Sequence, residues 1–133
     1  NISYLSCFIM QVILDSSFII SCVRDRIDFL AQLAEQGFTP VVPKEVFQEM
    51  KDLRTSNRSS HEDRIAIDVA LEMLEKGNVK KMSLGSGKVD DSLIKKGLEG
   101  IFIATLDNGI KKKIPKKIVI FKAQNRVGVE AGA

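Results

Sequence analysis

The segment "IFIATLDNGIKKKIPKKIVIF", residues 101–121, decides the fold. Two apolar β-like runs, 101–106 and 118–121, are joined by a linker that reads in two ways. Asn108-Gly109 is the strongest short hairpin signal, and a turn at Asp107–Gly109 would make the two runs antiparallel neighbours. Alternatively, Asp107 caps a short helix, "NGIKKKI", that crosses over to the last strand. We favour the crossover, because "KIPKK" breaks the chain before "IVIF" and a parallel partner requires a crossover.

Moving outward, "QVILD" (11–15) is a short β-branched run ending in an acid, the pattern of a buried strand. Helical spacing through Ile27, Leu30, Leu33 and Ala34 predicts one helix over 17–37, stopped by Gly37. "FTPVV" (38–42) is a second strand, and Pro43 opens a helix whose apolar face is Val46, Phe47, Met50 and Leu53, with Glu45 and Glu49 on its flank. After the polar loop 54–60, residues 61–77 form an amphipathic helix with Ile65, Val69 and Leu71–Met73 inward and Gly77 as its stop. "NVKKMSL" (78–84) is a weaker, lysine-bearing third strand. "GSGK" (85–88) is a loop, and 90–100 a short helix. Strands that alternate with helices and read as continuous apolar runs predict an α/β domain with a five-stranded parallel sheet covered on both faces.

The chain has 133 residues, enough for one domain with a real core. Hydrophobic residues at 44% and charged residues at 28% exclude a disordered or fibrous chain. The domain is expected over 10–122 and a loose tail over 123–133. Residues 1–9 read as an appended or upstream-translated leader that extends the first strand. This apolar start is too short to span a bilayer and lacks the basic front of a signal peptide, so no membrane role is expected. Cys7 and Cys22 stand far apart without a CxxC, which argues against zinc or a disulfide framework and for free thiols in a reducing cytoplasm.

Charge is unevenly distributed. Residues 1–77 carry a net −4 and residues 78–133 a net +7. A basic C-terminal half fits either a polyanion footprint or a merely solvated lysine face.

The predicted topology brings acids from four separated segments to the carboxyl edge of the sheet, where ligands bind at a switch in strand order. Asp15 ends the first strand, Asp107 follows the fourth, Glu49 lies about two turns into the helix after the second, and Asp90-Asp91 open the helix after the third. Each has a structural reading of its own: Asp15, Asp90 and Asp107 as caps or turn formers, Asp91 in a first turn, Glu49 on the surface. Together they would crowd unpaired carboxylates, a costly arrangement without a cation. Oxygen donors without His or Cys select hard ions, Mg²⁺ or Mn²⁺. The lone His61 reads as an exposed helix-start residue.

Four pieces, "VILDSS" (12–17), "VPKEVFQEM" (42–50), "VDDSLI" (89–94) and "IATLDNGIKKKI" (103–114), resemble the PIN-domain ribonucleases in order and spacing. The Asp-Asp pair and lysine-rich end are more similar to an archaeal branch related to ribosomal-RNA processing nucleases than to VapC toxins. The resemblance implies a three-layer α/β/α PIN-like fold and a metal-dependent endoribonuclease acting on single-stranded RNA. It places Asp15, Glu49, Asp90 and Asp107 on the family's metal-binding acids, Asp91 as an auxiliary, and Ser17 and Thr105 on its supporting hydroxyls. Two departures stand out. Ser16-Ser17 replaces the commoner Thr-Asn, and the spacing from Asp90 to Thr105 is slightly short, which leaves both aspartates eligible, Asp90 first.

For phosphate contacts we expect Lys88, Lys95, Lys111, Lys112 and Lys113, with Arg54 and Arg58 from the polar loop. The resemblance also implies a homodimer, and an antitoxin or ribosome-assembly partner according to role. The rival readings are a non-catalytic RNA-binding or assembly protein of the same fold, and a phosphoacceptor receiver domain, whose acceptor Asp at the end of the third strand is missing from "VKKMSL".

Overall fold

The computed structural model describes residues 10–130; the expected leader, with Cys7, lies outside them. The described chain runs β1 (Met10–Leu14), α1 (Ser16–Arg24), α2 (Phe29–Glu35), β2 (Phe38–Pro43), α3 (Lys44–Thr55), α4 (His61–Lys76), β3 (Lys80–Met82), α5 (Val89–Leu98), β4 (Phe102–Ala104), α6 (Asn108–Lys111), β5 (Lys117–Phe121), a 3₁₀ turn (Lys122–Gln124) and β6 (Arg126–Val129). The sheet order is β3-β2-β1-β4-β5-β6. The first five strands are mutually parallel. The linker of 101–121 is therefore the crossover: α6 bridges β4 to a parallel β5, and Asp107 caps it.

Strand alternation divides the core into two layers. Val12 and Leu14 of β1, with Phe102 and Ala104 of β4, pack under α1–α4. Ile13 and Ile103 point the other way, onto Leu93 of α5 and onto Ile110 and Ile114 around α6. Four helices thus cover one face and two the other. The second layer is close-packed: a Cβ added at Gly97 of α5 would lie 2.9 Å from Ile114 Cβ.

The structure corrects the sequence expectations in five places. The tail is not loose: β6 pairs antiparallel with β5, Ile118 opposite Val129, and adds a sixth strand, with Val127 buried. Its register is held by Gln32 of α2 and Gln36 at its C-cap, which bond the backbone of Val127 at 2.8 and 2.9 Å. The helix expected over 17–37 is two helices, because Arg26 takes a left-handed φ of 57° and Asp28 caps α2 by accepting from Ala31 N. In α4 the inward stripe is Ala66, Ile67, Ala70 and Leu74, while Ile65 and Val69 are exposed. In α3, Leu53 is exposed rather than part of the buried face. Finally, Lys88 is the N-cap of α5, so Asp90 and Asp91 occupy its first turn instead of capping it.

Other expectations hold. β3 is a short edge strand whose exposed lysines suit an unpaired edge. Cys22 is a free thiol, and its burial, with a smaller contribution from Asp25, pushes its pKa up to about 12, leaving it unreactive. His61 is the exposed first residue of α4. The apolar start on which the membrane reading rests lies mostly outside the described residues; among those described, no helix is long and apolar enough to cross a membrane.

Candidate active site

The chain leaves β1 on one side of the sheet for β2 and β3, then returns to the other side for β4. The carboxyl ends of β1 and β4 therefore flank a crevice at the switch in strand order. Asp15 stands in that crevice as the N-cap of α1, where its extended backbone turns the strand into the helix. Its Oδ1 accepts from Ser16 N at 2.9 Å and its Oδ2 from Thr105 Oγ1 at 2.6 Å. Asp15 N donates to Ala104 O at 2.9 Å, which fixes β1 against β4.

Thr105 is 1% exposed and also accepts from Asp107 N at 3.1 Å, so one hydroxyl links the two aspartates. Asp107 Oδ1 in turn accepts from Gly109 N and Ile110 N, capping α6. Ser17 Oγ accepts from Leu106 N at 3.1 Å, holding the β4–α6 connection to α1. Glu49 reaches in from α3, where the Ser16 hydroxyl donates to its Oε1. Asp90 comes from the first turn of α5. Asp15, Glu49, Asp90 and Asp107 line one cleft of about 380 Å³ with Ser16, Ser17 and Leu106, and none of these residues is basic.

Electrostatics in the cleft is unbalanced. Burial raises the pKa of Asp15; the bonds from Thr105 and Ser16 oppose the rise, and the charges of Glu49 and Asp90 add to it. At 7% exposure, the Asp15 carboxylate has two acidic neighbours and no basic residue lining its cleft to offset its charge. The donor set fits a hard divalent ion. Among the described residues no three acidic, His or Cys side chains already converge on a single point. An ion such as Mg²⁺ keeps several waters and so needs only one or two direct carboxylate ligands.

The remaining predicted residues separate. Asp91 lies outside this cleft, in a groove of about 290 Å³ on α5 that Lys88, Lys95 and Lys96 also line. The helix turn that directs Asp90 inward directs its neighbour away. Lys112 and Lys113 are exposed just beyond α6, and Lys111 is half-buried in its last turn. Arg58 is exposed in the polar loop, whereas Arg54 forms an ion pair with Asp68 of α4.

Sequence reasoning missed two contributors. Ser16 was read only as a departure from the family pattern, yet it orients Glu49. Glu45, one turn before Glu49 on α3, accepts from Leu84 N at 3.1 and 3.2 Å and ties down the loop that leads into α5. The i, i+4 spacing of the two glutamates was the available signal.

A larger cavity of about 610 Å³, between the end of α1 and α4, has Asp25 and Glu62 in its lining, but Arg24 and Arg26 balance them. The end of β3, Met82-Ser83, carries no acid, which excludes the phosphoacceptor arrangement.

No curated protein matches the chain. A family model described as "PIN like domain" matches residues 12–124, a span that takes in every strand from Val12 to β5 and all four acids of the cleft. With this match over most of its length, and with the sheet order and acid placement described above, the chain belongs to the PIN-like domain family, whose fold is of the nuclease type.

Proposed function

We propose that this protein is a divalent-metal-dependent endoribonuclease that hydrolyses phosphodiester bonds of single-stranded RNA. The observation that carries the reading is the convergence of Asp15, Glu49, Asp90 and Asp107, from four separate segments, on one cleft with no basic lining residue. Mg²⁺ or Mn²⁺ held there supplies a water of lowered pKa and offsets the charge that develops on the phosphate. The chain's own residues prepare the site. Thr105 and the Ser16 N–H fix both oxygens of Asp15. The Ser16 hydroxyl orients Glu49, and the α6 amides hold Asp107 by one oxygen.

Because the cleft is acidic, RNA affinity has to come from its surroundings. Lys88 and Lys95 on the groove of α5, with Lys111 in the last turn of α6 and Lys112 and Lys113 beyond it, contact phosphates in this reading, and Arg58 adds to them from the polar loop. Arg54 contributes little while it is paired with Asp68. Ribosomal-RNA processing, RNA decay and a toxin role remain alternatives within the same chemistry, the first favoured by the Asp-Asp pair and lysine-rich end. A cytoplasmic homodimer, with a ribosome-assembly partner or an antitoxin according to role, completes the proposal.

The test is incubation with single-stranded RNA in Mn²⁺, with and without chelator. Metal-dependent internal cleavage that Asp15→Asn abolishes is expected. RNA binding with no cleavage under any divalent metal would favour the non-catalytic reading instead.

A further inference from the structure

A second pocket, of about 240 Å³, adjoins the carboxylate cleft and shares Ser17 and Leu106 with it. Its apolar walls include Ile20 of α1, Leu53 at the end of α3, and Leu106. Leu53 and Leu106 remain 37% and 40% exposed, apolar surface left open beside a polar cleft. Hydroxyls make up much of the rest. Ser17 Oγ uses an acceptor site on Leu106 N and keeps its proton to donate, while Ser59 Oγ donates to Leu53 O at 2.5 Å and keeps its lone pairs to accept. Arg24, the cation of the lining, is already paired with Asp63 at 3.1 Å. A phosphate therefore gains little here, in contrast to the groove on α5 with its three lysines.

We propose that this pocket takes the base of a nucleotide flanking the scissile phosphodiester, and so sets which base is preferred beside the cut. The inference rests on the endoribonuclease reading. A base has apolar faces and a polar edge, and proteins that take one out of a strand hold it between apolar side chains with hydrogen bonds to that edge. Leucine walls with hydroxyls and a matched donor–acceptor pair provide both. The pocket adjoins the cleft across Ser17 and Leu106, the placement one nucleotide needs for its phosphate to lie by the carboxylates and its base beside them.

Leu53→Ser and Ser21→Leu test the proposal; both residues line the pocket and neither lines the carboxylate cleft. The first measurement is Mn²⁺-dependent cleavage of short single-stranded RNAs that differ only in the bases flanking the cut. The wild type is expected to discriminate among bases at one flanking position by roughly tenfold, and each variant to reduce this to about twofold. Rates independent of base at both positions, or a preference that survives both variants, would overturn the proposal. The second measurement needs neither metal nor phosphate. Adenosine, guanosine, cytidine and uridine are titrated into ¹⁵N-labelled protein, with shifts expected at the amides of Ser21, Leu53, Ser59 and Leu106. Absence of shifts with all four nucleosides contradicts it. Should Ser21→Leu fail to fold, the half-exposed Leu53→Ser carries both measurements. Nucleoside binding without cleavage of any RNA would sink the nuclease reading alone, and cleavage without base preference the pocket alone.

Discussion

At the residue scale the account turns on Asp15 and the hydroxyl that holds it. Thr105 donates to Asp15 and accepts from Asp107 N, so Thr105→Val removes a support of one acid and loosens the other. Outer supports of metal ligands usually matter by about 10–100-fold in metal affinity or activity, and a loss in that range is expected, measured as Mn²⁺ affinity by calorimetry. Asp15 also dictates a pH dependence. Its pKa is raised above the ordinary 3.8, chiefly by burial, so between that value and the raised one the native state keeps a proton that the unfolded chain releases. Stability of the metal-free protein should therefore fall as pH rises through this window. Asp15→Asn should flatten the fall, leaving the metal-free protein with a Tm at neutral pH no lower than the wild type's. Because the lowered Glu45 carboxyl contributes the opposite slope, the test is the difference: a pH dependence of the metal-free Tm that is the same in Asp15→Asn as in the wild type would contradict the raised Asp15 carboxyl. Part of this was legible in advance. The four acids could be placed because each sits at a strand end or a helix start, positions that topology alone brings together. The partner of Glu49 could not, since Ser16 and Glu49 lie 33 positions apart and only the packing of α1 against α3 makes them meet.

At the element scale, α3 and α5 deliver acids from opposite sides of the crevice, and α3 also positions α5. Burial alone would raise the Glu45 carboxyl; the N–H groups of Leu84, Glu45 itself and Gly85, with Lys44, lower it on balance. The Glu45 carboxylate is thus a charged acceptor at the foot of the β3–α5 loop. Glu45→Gln should cost about 1 kcal/mol and speed amide hydrogen exchange across 84–88, while exchange in β1 stays slow. Gly97 has a different part. Its Cα faces Ile114 so closely that Gly97→Ala must push α5 and the α6–β5 connection apart, at an expected cost of about 1–3 kcal/mol by chemical denaturation. Element boundaries also show where sequence reading reaches its limit. The crossover after Asp107 was legible from Pro115 and the flanking strands. The break at Asp25–Asp28 was not, because its apolar spacing is continuous and only the left-handed turn at Arg26 separates the helices. β6 was missed for another reason: "RVGV" is too short and too polar at its start to stand out, and its pairing with β5 and α2 makes the strand.

At the scale of the whole molecule, charge and shape divide the labour. The acidic cleft at the carboxyl edge of the sheet draws two acids from each half of the sequence, and much of the lysine comes from the segments after β3, which makes the second half net +7. For single-stranded RNA each phosphate contact adds about 0.7 to the salt slope of binding. Lys88→Ala and Lys95→Ala should each lower the slope by about that amount in a filter-binding titration, and Arg54→Ala should leave it unchanged because Asp68 already engages that guanidinium. Equal effects of all three would contradict the division into a lysine rim and a structural arginine.

The central claim is that the four carboxylates share one divalent ion site, and paramagnetic broadening by Mn²⁺ reads that location directly. Substoichiometric Mn²⁺ added to ¹⁵N-labelled protein should first erase the amide signals around Asp15, Ser16, Glu49, Asp90 and Asp107, and Asp15→Asn should abolish the effect. Broadening centred instead on Asp91 and the lysine groove, or spread evenly over the acidic surface, would contradict it.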